Sequence, residues 1–267
     1  MKFKEKLYKL TKVSYQKLPS SYQIIGDVLL LKLPKVKLNK QKQDIAKAIL
    51  KILPYVKTVC EIKEVSGELR KPKIKKLVGS STETIHKEHG ILYKLNVSKI
   101  MFSKGNLTER KRLIEEAKPG EVIVDMFAGI GYFSLGLAKT HAKIYSIEKN
   151  KNAFRYLQEN IRLNKTKNIK PIEGDCRKVK IPEKADRVLM GYFPGTEKYL
   201  PAAIGFLKDK GIIHYHDLGK SEDDIVKRIK KYTKEQKIKI LSKKIVKSYA
   251  PHIYHFVVDF YLEKGYI

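Results

Sequence analysis

From residue 121 onward the chain alternates two hydrophobic patterns. Short runs rich in β-branched residues recur at 121–125, 143–147, 169–173, 186–190, 211–216, 238–247 and 253–262, and these read as strands. Between them, apolar residues at helical spacing mark 131–140, 151–164, 197–209 and 219–235. Strands alternating with helices predict a mostly parallel sheet covered on both faces. No long helix separates the last two strands, so they are expected to form an antiparallel C-terminal hairpin at the sheet edge. The fold class is therefore α/β, with a Rossmann-type sheet of seven strands.

The first hundred residues have a different rhythm. Lys alternates with Leu, Phe and Tyr over 1–17, which predicts a short helix. Residues 24–33 predict a strand interrupted by Gly26-Asp27. Ile45, Ala48, Ile49 and Ile52 mark a helix over 39–53 that stops at Pro54. Short strands or turns follow at 56–62, 74–78, 82–86 and 91–96. This mixture predicts a small N-terminal α+β domain over 1–100. Residues 99–118 lead into a second domain, 101–267, through a helix that starts at Leu107-Thr108-Glu109-Arg110. A chain of 267 residues has room for both.

Charge narrows the class of partner. There are 57 basic and 28 acidic residues, a net charge of +29, and only 8 of the basic residues are Arg. Lys-rich composition also occurs in heat-adapted proteins, but there Glu balances Lys. The imbalance here points to a polyanion, with nucleic acid first. Lys71–Lys76 and Lys227–Lys244 are the stretches expected to face phosphates. Cys60 and Cys176 are the only cysteines, which argues against a disulfide scaffold and a zinc cluster. The charged start, Met1–Leu10, does not resemble a signal peptide. The longest apolar runs, such as Val28–Leu31, are too short to span a bilayer. A soluble cytoplasmic protein with no membrane association is expected.

Candidate chemistry lies in residues 121–134. A predicted strand ends at Asp125, and Gly129 and Gly131 follow before apolar helical spacing resumes. A strand turning through Gly-x-Gly into a helix holds a nucleotide-like cofactor at the carboxyl end of a sheet. Ser134 stands where a dinucleotide site needs its third glycine. An acid four residues before the first glycine instead suits S-adenosyl-L-methionine, which has an ammonium group and no phosphate. Glu148 ends the next strand, 23 residues after Asp125, about the ~20-residue spacing of a carboxylate on ribose hydroxyls. A third acid, Asp175, follows the next strand and is placed to meet adenine. Carboxylates ending three successive strands favour a methyltransferase-like sheet over an ordinary strand–helix turn.

A resemblance covers most of the chain. Residues 18–34, 66–72, 86–112, 125–135, 185–203, 211–217 and 246–259 occur in the order seen in a known family. That archaeal and eukaryotic family modifies the purine just 3′ of the tRNA anticodon. One branch methylates guanine at ring nitrogen 1. The other is the wybutosine-synthesizing branch, which moves the 3-amino-3-carboxypropyl group of the same cofactor onto tricyclic 4-demethylwyosine. The methylating branch usually carries Ser-Pro-Arg where this chain has Ser103-Lys104-Gly105. It also carries an Asn-Pro-Pro or Asn-Leu-Pro motif where this chain has Gly191-Tyr192-Phe193-Pro194. Phe102 to Arg110 is similar to the aminocarboxypropyl branch.

The resemblance implies a monomeric aminocarboxypropyltransferase acting on the anticodon stem-loop of tRNA-Phe. N1-methylation at the same position and a non-catalytic tRNA-binding protein are the alternatives. It puts Ser103, Lys104, Arg110, Asp125, Phe127, Gly129, Glu148, Asp175, Cys176 and Gly191 around the cofactor, with no metal. Glu109 matches the family's general base, and Arg70 matches an arginine near the substrate. Glycines at 105 and 191 are expected to leave room for the turned methionine arm and a bulky base. His214 and His216 alternate on a strand, open to packing, a tRNA contact or, with no third ligand nearby, a metal. Tyr192 and Phe193 are open to base stacking or core packing.

Overall fold

The computed structural model describes residues 2–67, 71–102, 106–234 and 236–265. It divides the chain into two compact units, Met1–Phe102 and Ser103–Ile267.

The first unit begins with α1 (Phe3–Leu10), which is shorter than the helix expected over 1–17; a separate 3-10 turn covers Tyr15–Lys17. A four-stranded sheet runs in the order β1 (Gln23–Ile25), β2 (Val28–Leu31), β3 (Thr58–Ser66), β4 (Lys71–Val78). The β2–β3 pair is parallel, and α2 (Asn39–Ile52) supplies the crossover. Ile45, Ala48 and Ile49 of α2 pack with Leu29, Leu31 and Val59 in this unit's core. A hairpin, β5 (Glu83–Glu88) and β6 (Ile91–Asn96), completes it. Gly26 makes the β1–β2 turn at φ +56°, and a Cβ there would sit 2.1 Å from Thr84 Oγ1. Thr84 is held in place because its hydroxyl donates to Asp27 Oδ1 at 2.6 Å. The interruption read at Gly26-Asp27 is thus a hairpin turn locked onto β5.

The second unit starts with α3 (Leu107–Glu116). Its seven strands are β7 (Val122–Asp125), β8 (Lys143–Glu148), β9 (Ile169–Glu173), β10 (Ala185–Met190), β11 (Leu207–Gly219), β12 (Gln236–Ala250) and β13 (Ile253–Lys264). They lie in the order β12-β13-β11-β10-β7-β8-β9. The five strands from β11 to β9 in that order pair in parallel. The last hairpin is antiparallel, as expected. The strand order reverses direction between β7 and β10, where open α/β sheets bind ligands.

Two helices differ from the sequence pattern. The helix expected over 131–140 contracts to α4 (Ser134–Leu137) and a 3-10 turn over Ala138–Thr140. Gly129 at φ +59° and Gly131 at φ +98° hold left-handed backbone that an α-helix cannot include. The helix expected over 197–209 is a 3-10 turn (Thr196–Tyr199) running into α6 (Leu200–Phe206), after which β11 begins four residues earlier than its apolar run. The remaining helices are α5 (Lys151–Leu163) and α7 (Glu222–Tyr232). Ser221 starts α7 with a capping box: its hydroxyl accepts from the Asp224 amide, and the Asp224 carboxylate accepts from the Ser221 amide, both at 3.2 Å. Among the described residues, no helix is long and apolar enough to cross a membrane.

Candidate functional site

The carboxyl ends of β7, β8, β9 and β10 bring together the acids and glycines singled out in the sequence. Asp125 is fully buried. Its Oδ2 accepts from Ser134 Oγ at 2.7 Å, and its Oδ1 accepts from the Phe127 amide at 3.4 Å. Ser146 Oγ donates in turn to Ser134 Oγ at 2.7 Å. Burial pushes the Asp125 carboxyl up to about 6. The expectation was an acid that suits a cofactor with an ammonium group. The geometry shows Asp125 fixing Ser134 and the backbone at Phe127. Ser134 replaces the third glycine because its hydroxyl is the partner this buried acid needs.

Glu148 is the acid that reaches the turn. Its Oε2 accepts from the Gly129 amide at 2.7 Å and its Oε1 from the Asn150 amide at 2.6 Å. Burial raises its proton affinity, and the amides of Asn150, Gly129 and Lys149 oppose that shift. An ionised carboxylate offers about four lone-pair sites, so about one remains for a further donor. Asn150 also caps α5, accepting from the Asn152 amide at 3.0 Å, which fixes the loop that carries Glu148.

Asp175 follows β9. Arg177 grips it with two prongs, Nε to Oδ1 at 2.9 Å and Nη2 to Oδ2 at 2.5 Å, and Lys149 Nζ lies 3.5 Å from Oδ2. The guanidinium holds this carboxyl well below the usual carboxylate range. Cys176 is buried, and burial pushes its thiol up to about 12. The thiol is therefore inert, and the residue packs as a small apolar group.

An aromatic wall stands beside these acids. Phe127 stacks on Tyr192 with ring centres 5.0 Å apart and meets Tyr199 edge-on at 4.9 Å. The Arg177 guanidinium lies over Tyr199 at 4.9 Å. Phe193 is buried and packs on His255 at 4.2 Å, so it is core rather than an open stacking face. Tyr192 stays half-buried.

The space at Gly191 is already filled. A Cβ at that position would come within 2.8 Å of the Phe133 ring edge. The expectation that a missing side chain leaves an open volume at 191 is corrected here: Phe133 occupies it. Behind Phe133 lie His216 and His255, joined at 3.0 Å between Nδ1 and Nε2. Burial pushes His216 down to about 3, so the imidazole is neutral.

Helix α3 supplies the other predicted residues. The Arg110 guanidinium sits over the Tyr132 ring at 5.1 Å, and that ring packs where a Cβ on Gly129 would stand. Arg110 is thereby tied to the glycine turn. Glu109 is buried, and its carboxylate pairs with Arg112 through both oxygens, with Arg112 Nε to Oε2 at 2.9 Å. Arg112 also donates to Asp259 at 2.5 Å and Glu116 at 2.7 Å. His214 continues the chain. Its Nε2 lies 2.6 Å from Arg187 Nη1 and must accept from it, so its Nδ1 carries the proton donated to Asp259 Oδ1 at 2.6 Å. Arg187 ends the network on Glu121 at 3.0 Å. His214 and His216 are thus packed interior residues. Ligating atoms of Glu116, His214 and Asp259 lie within 4.8 Å of one another, but the Arg112 guanidinium already pairs both carboxylates and Arg187 donates to the histidine. Sequence reasoning missed Phe133, Arg112, Asp259, Arg187 and His255. A buried acid facing a buried arginine across distant strands leaves no local pattern. Ser103, Lys104, Gly105 and Arg70 lie outside the described residues.

Two family descriptions match: the TRM5/TYW2 methyltransferase domain over residues 84–241 and the TYW2 N-terminal domain over residues 3–82. The tRNA(Phe) (4-demethylwyosine(37)-C(7)) aminocarboxypropyltransferase of Methanocaldococcus jannaschii is 42% identical over 250 residues, which span 91% of this chain and 98% of that protein. The tRNA (guanine(37)-N(1))-methyltransferase Trm5b of Pyrococcus abyssi is 37% identical over 250 residues, 91% of this chain and 75% of that protein. The crystal structure of M. jannaschii TYW2 in complex with AdoMet superposes with a TM-score of 0.75 at 40% identity, covering 91% of this chain and 100% of that one.

Proposed function

Since the chain belongs to the TRM5/TYW2 family, we propose that it is an S-adenosylmethionine-dependent tRNA aminocarboxypropyltransferase. Its substrate is the 4-demethylwyosine base 3′ of the anticodon in tRNA-Phe, and methylthioadenosine is released. The observation that carries this reading is the match to the aminocarboxypropyltransferase of M. jannaschii along nearly the whole of both chains.

The residues at the strand ends fit the cofactor. Glu148 keeps acceptor capacity for a ribose hydroxyl after taking the Gly129, Asn150 and Lys149 amides. Asp175, fixed by Arg177, accepts at the adenine end. Phe127 and Tyr192 offer ring faces beside the turn. Cys176 contributes backbone only, and Asp125 supports the turn from below. Arg110 offers the planar fork that suits a carboxylate such as that of the methionine arm. Ser103 and Lys104 complete this set by resemblance, and Arg70 is assigned to the substrate side on the same ground. The bound cofactor supplies a carbon activated by its sulfonium. Glu109 takes the proton that the base loses as its ring carbon attacks, and Arg112 holds that carboxylate in place.

In this reading the N-terminal unit contacts tRNA and the second unit binds cofactor. The protein acts as a monomer in the cytoplasm, away from membranes, and engages the anticodon stem-loop. N1-methylation of guanine is the second reading, favoured by the 37% identity to Trm5b. Analysis of the nucleoside released on incubation with tRNA carrying 4-demethylwyosine separates the two. Methylthioadenosine supports the proposal; S-adenosylhomocysteine overturns it, and no turnover with tight tRNA binding indicates a non-catalytic protein.

A further inference from the structure

The N-terminal unit carries a cleft of about 310 Å³ lined by Lys32, Leu33, Pro34, Lys37, Glu61 and Lys63, among others. It lies between the segment after β2, the first turns of α2 and the middle of β3. Its volume is at the lower end of the range for small-molecule sites, about 300–1,000 Å³.

Glu61 makes the cleft unusual. It is 5% exposed, and Oε1 accepts from Lys42 Nζ at 2.6 Å. Its Oε2 is buried without a hydrogen-bond partner among the described residues. A buried acceptor left unpaired is costly, and native proteins rarely keep one without use. Lys32, Lys37 and Lys63 are exposed at the same cleft, so it offers cations together with one unused anionic acceptor. Leu33, Pro34 and Ile62 add an apolar wall. Lys42 offsets the Glu61 charge, so the cleft is net cationic and draws an anion, and the unpaired Oε2 asks in addition for a donor. A ligand that uses all three features has a phosphate, a flat apolar face and an N–H or O–H donor. One nucleotide of an RNA strand has them: phosphate, base, and a base amino group or 2′-hydroxyl.

We propose that this cleft is a single-ribonucleotide subsite, in which Glu61 Oε2 accepts a hydrogen bond from the RNA while Lys32, Lys37 and Lys63 hold its phosphate. The proposal rests on tRNA being the partner, as the proposed function has it, but not on which group is transferred.

The test turns on the sign of a charge change. Removing a carboxylate from a protein of net charge +29 strengthens polyanion binding if only general electrostatics acts. If Glu61 accepts from RNA, Glu61→Ala weakens it, by about tenfold for one charge-assisted hydrogen bond. Binding of an unmodified tRNA-Phe transcript to the full chain is read by fluorescence anisotropy. Glu64→Ala, an exposed carboxylate on the same strand, is the control and is expected to bind equally or more tightly. Unchanged or tighter binding by Glu61→Ala overturns the proposal. Hydrogen exchange at the paired amides of β2 and β3 reports that the N-terminal unit of the variant has folded. Should it not fold, Lys37→Glu and Lys51→Glu, both exposed, are compared; a loss about tenfold greater at Lys37 supports the subsite and equal losses overturn it. Failure of the wild-type chain to bind tRNA would instead overturn the proposed function along with the subsite.

Discussion

The Arg112 guanidinium donates to Asp259 Oδ2 at 2.5 Å, joining α3 to β13 across 147 residues of sequence. The same guanidinium holds Glu109 through both carboxylate oxygens. Asp259 is further fixed by His214 and by Ser242 Oγ at 2.7 Å. Burial disfavours the Asp259 charge, but these donors outweigh it and keep the carboxyl below its ordinary range. The position of Glu109 is thus set from the sheet and not by its own helix alone.

Breaking this network is expected to cost stability. Arg112→Ala leaves Glu109 and Asp259 as buried carboxylates without their cation, a loss of about 3–5 kcal/mol. Arg112→Lys keeps the charge and loses the fork, so its loss is smaller. Urea denaturation of the two variants checks the order.

Glu109→Gln tests the base. Transfer in single-turnover assays is expected to fall by about 10²–10⁴-fold, with S-adenosylmethionine affinity by calorimetry unchanged. A rate equal to wild type would show that Glu109 serves only to pair Arg112.

Gly191 and Phe133 are expected to be energetically coupled. Gly191→Ala puts a Cβ against the Phe133 ring edge and costs about 1–3 kcal/mol of overpacking. Phe133→Leu in the same chain relieves part of that cost. A double-mutant cycle on thermal unfolding reads the coupling, and strict additivity would contradict the contact.

His216 gives the fold a dependence on pH. Its proton affinity falls from 6.5 in the open chain to about 3 in the folded protein, because burial disfavours the cation. The unfolded chain therefore binds the extra proton below 6.5. The stability that neutral His216 confers is complete above that pH and is lost progressively as pH falls toward 3. Asp125, pushed up to about 6, acts in the opposite sense between its ordinary 3.8 and 6: the folded state binds the proton first, so acidification there favours folding. The wild-type minus His216→Phe difference isolates the histidine. It is expected to shrink as pH falls from 6.5, with a slope approaching about 1.4 kcal/mol per pH unit.

The sheet of the second unit was readable because its strands are β-branched runs bounded by polar turns. Their carboxylates at 125, 148 and 175 could be placed at strand ends by counting. Counting could not say which acid faces a ligand. Asp125 accepts from Ser134, a partner nine residues along the chain that only the folded turn brings to it. The helix over 131–140 failed because left-handed φ at Gly129 and Gly131 is invisible to hydrophobic spacing. Gly191 was legible as a missing side chain, but its reason, Phe133, comes from another strand–helix turn. His214 and His216 were open to packing, a tRNA contact or a metal until β13 brought Asp259 and His255 against them.

The identity of the transferred group separates the two branches of the family. The most direct measurement incubates the protein and tRNA-Phe bearing 4-demethylwyosine with two preparations of S-adenosylmethionine, one labelled in the methyl carbon and one in the carboxyl carbon. Carboxyl label, and no methyl label, is expected in the recovered tRNA. Methyl label in the tRNA would contradict aminocarboxypropyl transfer.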